Sequence, residues 1–271
     1  MCERFTSSSG GVLLPADPLI PSENSLFSPK DTYVMSHTQS GKATFLGQAY
    51  TRPSHFRYDN MHLAGSLTMA DYGGICIPQM NPYNGPVDFT AHPFSKRKAL
   101  SGEKQAIHFF ENDNEFRNAI WNRLEQTSYS LARFECLFTP DFSMYLEDYL
   151  SFYGLQAVYM TRFVGAYWQQ VCGYNVIPTV SFGNADSLSY SLWGLPKSSI
   201  LGVCGVGVNR SKRRRELWDY ALRHIEQELS PKLFIVYGPE TKVPGLQTPI
   251  QFIPDYISIH FRHGKDKKNT R

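Results

Sequence analysis

A unit made of a short apolar run, a polar or glycine-containing tip and a helical stretch recurs along residues 105–238 of this chain. The apolar runs lie at residues 106–110, 134–138, 176–182, 200–208 and 233–237. Short apolar runs that alternate with helical stretches predict βα units, whose strands pair in parallel. The carboxyl ends of parallel strands meet at one edge of the sheet, where ligands bind. The sequence therefore predicts a parallel sheet and also the edge at which a binding site lies.

The spacing of apolar residues predicts the connecting helices. They are expected over residues 114–125, 145–172, 186–193 and 211–229. Two more apolar runs, 250–253 and 256–261, predict one or two additional strands. We therefore expect an α/β fold with a parallel sheet of five to six strands and crossover helices, arranged as an open sheet or a partial TIM-like barrel. A complete eight-unit barrel uses about 250 residues, which is more than the patterned region provides.

Residues 1–100 differ from the rest of the chain. They are rich in Ser, Gly, Pro, Asn and His, and turn-forming stretches such as 7–11 and 82–86 recur among scattered aromatic residues. We expect a loop-rich, partly disordered N-terminal segment that packs on an α/β domain at residues 101–262. A basic tail at residues 263–271 completes the predicted organisation.

The composition limits the classes of protein that the chain can belong to. Apolar residues make up 42% of it, which is enough for a core and excludes wholesale disorder. The longest apolar stretches fall short of the ~20 residues of a transmembrane helix, and the N-terminus lacks a signal-peptide pattern. We expect a cytoplasmic protein that does not enter a membrane. The five cysteines lack the short spacing of zinc ligands, so we expect no metal and no other cofactor.

Asp141 is the strongest candidate for chemistry because it follows the second apolar run, within residues 140–143. A carboxylate at a strand end can act as a base, a nucleophile or a ligand anchor. Alternatively, Asp141 caps the next helix. Ser143 either binds a ligand or shares that cap. Arg162 lies on an apolar helical face, where it either clamps a carboxylate or phosphate of a ligand or pairs with Asp141.

A second group of candidates lies at the tips of the later strands. Gly205 and Gly207 precede the helix predicted over 211–229, and a helix N-terminus attracts anions. The alternative is that these glycines only allow strands to pack closely. The predicted catalytic residues are Asp141, Ser143, Arg162 and Asp186. The predicted ligand-binding residues are Asn184, Gly205, Gly207, Asn209, Arg210, Lys212 and Tyr237.

Five cations lie close together at Arg210 and at residues 212–215. Basic clusters contact the phosphates of polyanions. The alternative is a solvated start of a helix. His108 lies inside the first apolar run, and we expect it to be a buried histidine with a hydrogen-bond partner.

Several motifs in the α/β region occur together in a known family. They are Ile107-His108-Phe109-Phe110, Pro140-Asp141-Phe142-Ser143, Gly165-Ala166-Tyr167-Trp168-Gln169, Val176-Ile177-Pro178-Thr179-Val180 and Ile235-Val236-Tyr237-Gly238. In this order they resemble domain of unknown function 4417, a family of bacteria, phages and mobile elements, over about residues 100–240. The resemblance implies no activity. The family has a Trp-Gly-Asp pattern after the Pro178-Thr179-Val180 strand. The corresponding residues here are Phe182-Gly183-Asn184, so the acidic residue is absent or displaced to Asp186.

Two hypotheses about function follow from these patterns. The first is a phage or mobile-element protein that binds or acts on a nucleic acid, a nucleotide or another phosphate-bearing ligand at the carboxyl ends of its strands. The second is a non-catalytic factor that binds a host or viral protein through its aromatic, loop-rich N-terminal segment. The sequence leaves open whether the protein is an enzyme.

Overall fold

The structure is a computed structural model that describes residues 42–45, 48–51, 54–144 and 151–254. Its contacts divide the chain into two units, Met1–Arg52 and Pro53–Arg271. In the first unit, strands β1 (Lys42–Phe45) and β2 (Gln48–Thr51) form an antiparallel hairpin. The expectations for residues 1–41, for the strand at 256–261 and for the basic tail fall outside the described residues.

The second unit begins with a 3₁₀ helix and an antiparallel pair of strands. The helix spans Ser54–Ser66, and the strands are β3 (Met69–Asp71) and β4 (Cys76–Pro78). The remaining strands all pair in parallel. They are β5 (Thr90–Pro93), β6 (Gln105–His108), β7 (Cys136–Phe138), β8 (Val176–Ile177), β9 (Thr179–Val180), β10 (Ile200–Cys204), β11 (Leu233–Tyr237) and β12 (Ile250–Ile253). The predicted α/β class and parallel pairing are therefore confirmed.

The parallel strands form two four-stranded sheets rather than the single sheet of five to six strands that the sequence predicts. The strand orders are β5-β6-β7-β8 and β12-β11-β10-β9. The break falls at Pro178, between β8 and β9, because proline has no N–H to donate to a strand ladder. The described strands do not close into a barrel. The partial TIM-like alternative stays a prediction.

Threonine hydroxyls connect the two sheets at this break. The backbone N–H of Thr179 donates to Oγ1 of Thr139 at 2.8 Å, and the two Oγ1 atoms lie 2.6 Å apart. The carbonyl of Pro178 accepts a hydrogen bond from the N–H of Gly202 in β10, at 2.8 Å. A side chain thus replaces a backbone acceptor where the ladder is interrupted.

Helices connect the strands as the sequence predicts, but with different bounds. They are α1 (Asp113–Ile120), α2 (Leu124–Leu131), α3 (Ser151–Ala166), α4 (Leu188–Ser191) and α5 (Lys212–Leu229). A π-helical turn, Tyr167–Val171, extends α3, and 3₁₀ turns occur at Phe94–Ala99 and Val208–Arg210. The single helix predicted over 114–125 is wrong because the backbone of Arg123 leaves the helical region and separates α1 from α2.

The inner faces of both sheets contribute to one apolar cluster. It includes Ala106 and Phe138 from one sheet and Ile235 and Tyr237 from the other. Burial of apolar surface on this scale is the main favourable contribution to folding. None of the helices in the described residues is long and apolar enough to cross a membrane.

Candidate functional site

A cleft of about 300 Å³ lies where β9 and β10 end, and we call it the strand-end cleft. Its walls come from the segments that follow these strands, from the start of α5 and from Met144. The lining residues are Met144, Phe182, Gly183, Cys204, Val206, Gly207, Val208, Arg214, Leu217 and Trp218. The cleft therefore lies at the edge where parallel sheets bind their ligands.

A glycine turn shapes one side of the strand-end cleft. Gly205 follows β10, and its N–H donates to the carbonyl of Tyr237 at 2.8 Å. A Cβ at Gly205 would lie 3.0 Å from Cγ1 of Val236, so the glycine allows the segment after β10 to approach β11 closely. Gly207 has φ +82°, a left-handed conformation that glycine adopts without strain. Close packing therefore explains Gly205, whereas Gly207 turns the chain towards α5.

The start of α5 forms the rim of the strand-end cleft. Ser211 caps the helix because its hydroxyl accepts a hydrogen bond from the N–H of Arg214, at 3.3 Å. Arg214 is exposed and lines the cleft. A Cβ at Gly207 would lie 3.4 Å from Nη1 of Arg214, so this guanidinium lies beside the glycine turn.

Most of the predicted basic cluster is solvent-exposed. Lys212 lies 3.7 Å from Glu216 in an exposed ion pair, and such pairs contribute little to stability. Within the described residues, the side chains of Arg210, Arg213 and Arg214 form no hydrogen bond or ion pair. Three cations at one helix start are therefore free to contact a ligand.

Arg215 differs from the other cations of the cluster. Its Nε lies 3.0 Å from Oδ1 of Asp219, and its Nη2 donates to the carbonyl of Lys242. A third donor, Nη1, lies 3.4 Å from Oδ1 of Asn209, whose amide in turn lies 3.4 Å from the hydroxyl of Thr241. Arg215 and Asn209 thus connect α5 to the segment after β11. Their contacts favour a structural role.

Aromatic side chains form the inner wall of the strand-end cleft. Phe182 is half-buried, and its ring centroid lies 6.2 Å from that of Trp218. Trp218 is only 2% exposed, and its Nε1 has no hydrogen-bond partner among the described residues. Buried donors without an acceptor are rare in folded proteins.

Asp141 lies beside this cleft and not in its wall. It follows β7 by three residues, and the hydroxyl of Ser181, the residue before Phe182, donates a hydrogen bond to its Oδ1. Burial raises the pKa of Asp141 to about 7. The carboxylate of Asp113 adds to this rise, whereas the hydrogen bond from Ser181 opposes it. A carboxyl group whose pKa is raised towards neutral pH suits a general acid or base.

Ser143 is held by Asp113 and not by Asp141. Its hydroxyl donates to Oδ1 of Asp113 at 2.8 Å, and its N–H donates to the same oxygen at 3.2 Å. A second cleft, of about 210 Å³, is lined by both residues together with Arg117 and Tyr153 among others. The helix that Asp141 is predicted to cap is expected from residue 145, and residues 145–150 lie outside the described residues.

Arg162 is 1% exposed, and within the described residues its guanidinium donates hydrogen bonds to backbone carbonyls. Its Nε, Nη1 and Nη2 donate to the carbonyls of Trp193, Thr179 and Ser191, at 2.8, 3.0 and 2.7 Å. Burial lowers the pKa of the guanidinium to about 9. The side chain therefore connects α3 to β9 and to the end of α4. This arrangement favours a structural role, with carbonyls rather than Asp141 as the partners.

Asn184 and Asp186 belong to the turn that starts α4. Oδ1 of Asn184 accepts a hydrogen bond from the N–H of Ser187 at 2.8 Å, which shapes this turn. Asp186 is exposed, and its carbonyl accepts from Ser189. Neither side chain lines the strand-end cleft, although Gly183 next to them does. Their predicted ligand contacts stay predictions.

Tyr237 is buried in the shared apolar cluster. Its ring lies 4.5 Å from that of His108 and 5.4 Å from that of Phe110, measured between centroids. His108 is 1% exposed, and its Nδ1 lies 3.3 Å from the N–H of Phe110, which donates to it. The expectation of a buried, hydrogen-bonded histidine is therefore confirmed. Burial lowers the pKa of His108 to about 3, so the ring is neutral.

Sequence reasoning missed three residues around the site, namely Ser181, Phe182 and Trp218. Ser181 and Phe182 end the third apolar run, where they look like core residues. Trp218 lies on the buried face of α5, and its place in a cleft wall depends on packing between elements. The sequence feature that did indicate this cleft was the pair Gly205 and Gly207 followed by the cations from Arg210 onward.

These elements define an α/β protein with parallel strands and a ligand-sized cleft at their carboxyl ends. The chain belongs to the family called Domain of unknown function (DUF4417), which matches residues 72–253. It is 33% identical to the Gene 1 protein of Mycobacterium phage L5 over 209 residues, which cover 76% of this chain and 88% of that protein. It is 27% identical to the Gene 1 protein of Mycobacterium phage D29 over 205 residues, 74% of this chain and 68% of the relative. No solved structure shows a significant match to the chain.

Proposed function

We propose that this phage-family protein binds the phosphates of a nucleic acid or nucleotide at the strand-end cleft. The observation that carries the proposal is the set of unpaired cations at the start of α5, on the rim of a ligand-sized cleft. Arg214 lines the cleft itself, and Arg210 and Arg213 are close to it in sequence and exposed.

The electrostatics of α5 support an anionic ligand. The N-terminal end of a helix carries a partial positive charge, so cations there are unfavourable by a few tenths of a kcal/mol each. The first turn of this 18-residue helix contains no acidic residue to offset the charges of Lys212, Arg213 and Arg214. A bound phosphate offsets them and also meets the free backbone N–H groups of the helix start.

Asp141 is our candidate for chemistry on the bound ligand. Its carboxyl group has a pKa of about 7 and is hydrogen-bonded to Ser181, the neighbour in sequence of the cleft residue Phe182. A group whose pKa lies near the working pH transfers protons efficiently. The binding proposal does not depend on this role, so the two can be tested separately.

The binding proposal is tested with fluorescently labelled oligonucleotides in a salt titration from about 50 to 200 mM. Fluorescence anisotropy of the full chain should show binding to DNA or RNA that weakens steeply with salt. Replacing two cations in R213Q/R214Q should lower the affinity. It should also reduce the slope of log K against log salt by about 1.4 for a single strand, because each phosphate contact contributes roughly 0.7.

The matched control removes two exposed cations from the opposite edge of the same sheet. Lys197 and Lys232 precede β10 and β11, at the amino ends of these strands. K197Q/K232Q makes the same change in net charge and should leave the slope within about 0.3 of the parent value. Equal losses in both double variants would show non-specific attraction instead of a site. Absence of binding by the parent at low salt would refute the proposal and favour the protein-interaction hypothesis.

A further inference from the structure

The strand-end cleft is lined by aromatic and aliphatic side chains as well as by polar groups, which is more than a site for phosphate alone needs. Phe182, Leu217 and Trp218 form one side, and Met144 and Val206 are also in the lining. Arg214 is the charged side chain of the lining. Ligand pockets of about 300 Å³ are at the small end of the usual range, with apolar walls and a few polar groups that fix orientation. The lining thus combines an aromatic interior with a cationic rim.

We propose that the strand-end cleft takes one base of a single-stranded nucleic acid, stacked on Phe182, with the neighbouring phosphate on Arg214. This inference rests on the proposed function and specifies its ligand. Stacking on an aromatic side chain and contact between phosphate and cation are the two interactions by which proteins bind single strands without reading sequence. Here both occur in one cleft.

Base insertion explains why the ligand is a single strand and not a duplex. Bases of a duplex are paired and stacked on their neighbours, so only the phosphates reach the cationic rim. A base from a single strand is free to leave its stack and enter an apolar cleft.

The first experiment compares three labelled oligonucleotides of about 20 nucleotides with the full chain. They are a normal single strand, the same strand with abasic sites throughout and the corresponding duplex. The three carry the same kind of phosphate backbone, but only the first presents free bases. Loss of the stacking contact should weaken binding of the abasic strand about tenfold relative to the normal strand. The duplex should also bind more weakly than the normal strand at equal salt.

Variants of Phe182 test whether the difference in affinity between the normal and abasic strands arises in the strand-end cleft. F182L keeps an apolar side chain but removes the ring, so its affinity for the normal strand should fall about tenfold and approach that for the abasic strand. F182Y keeps the ring and should retain the difference. Y129L is the matched control because Tyr129 is an aromatic residue with 82% exposure that does not line the cleft. Its affinities should equal those of the parent.

The possible results separate this inference from the proposed function. Equal affinities of the parent for the normal and abasic strands, or an F182L variant that binds like the parent, would overturn base insertion. The phosphate site would then still stand if R213Q/R214Q weakened binding. A parent that binds none of the three oligonucleotides at low salt would overturn both.

Discussion

The hydroxyl of Ser181 donates a hydrogen bond to Oδ1 of Asp141, which joins the segment after β7 in one sheet to the segment after β9 in the other. Ser181 is followed directly by Phe182 in the wall of the strand-end cleft. The carboxyl group with the raised pKa is therefore connected through one hydrogen bond to the segment that forms the proposed binding site.

Replacing Ser181 with alanine should raise the pKa of Asp141 further. The hydrogen bond from Ser181 stabilises the ionised carboxylate and lowers the pKa, so its removal acts in the opposite direction. The pKa is measured from the carboxyl carbon shift of Asp141 by NMR over a pH titration. S189A is the control because Ser189 is exposed and bonded elsewhere. A pKa at or below the parent value in S181A would contradict the assigned hydrogen bond.

Replacing Asp141 with asparagine should change how stability depends on pH. The pKa of Asp141 in the folded state is about 7, above the usual value of 3.8 for an aspartate in an unfolded chain. Its contribution to stability is therefore present at low pH and is lost as the pH rises from about 4 through 7. D141N lacks this loss, so above pH 7 its free energy of unfolding should exceed that of the parent by at least about 1 kcal/mol.

Urea denaturation of both proteins at pH 5 and pH 8 measures this difference. The gain of D141N over the parent should be larger at pH 8 than at pH 5. D186N is a suitable control because Asp186 is exposed. A D141N protein that is less stable than the parent at pH 8 would show that the folded state prefers the ionised carboxylate.

Replacing Arg162 with methionine should destabilise the fold strongly. The change leaves three carbonyls, those of Thr179, Ser191 and Trp193, without their donor in a buried place. Unsatisfied buried groups cost about 1–3 kcal/mol each, so we expect a loss of about 3 kcal/mol or more. Thermal denaturation measures the loss, and R123M at an exposed position is the control. A small change would instead suit a ligand-binding Arg162.

Arg214 and Arg215 are neighbours with opposite expected effects. R215Q removes the ion pair with Asp219 and the hydrogen bond to the carbonyl of Lys242. It should lower stability by about 1–2 kcal/mol and leave affinity per folded molecule nearly unchanged. R214Q should weaken oligonucleotide binding and leave stability within about 0.5 kcal/mol. Denaturation and anisotropy on both variants measure this contrast. The reverse pattern would contradict the assignment of the two side chains.

Periodicity predicted the parallel strands because buried strands of such sheets are continuous apolar runs. It did not reveal β5, whose residues Thr90–Pro93 include a histidine and a proline and do not form an apolar run. It also treated residues 176–182 as one strand. Pro178 is visible in the sequence. Whether a proline ends a strand or divides two sheets depends on which strands pair with the residues before and after it.

The candidate site was predictable in its place but only partly in its members. Gly207 and the cations after it are local signals, because a left-handed turn and a helix start need only neighbouring residues. Phe182 and Trp218 look like core residues, and only tertiary packing brings them together as a cleft wall. The same holds for Arg162, whose three carbonyl partners come from two separate segments, one at Thr179 and one at residues 191–193.

The proline between β8 and β9 determines which contacts hold the two sheets in alignment. On one side of it lies the strand that leads to Asp141, and on the other lie the strands that lead to the strand-end cleft. The ladder is replaced there by the hydroxyls of Thr139 and Thr179, 2.6 Å apart. Side-chain hydrogen bonds at these two positions therefore help to align the carboxylate with the cleft, so substitutions of either threonine should alter the site although neither residue lines the cleft.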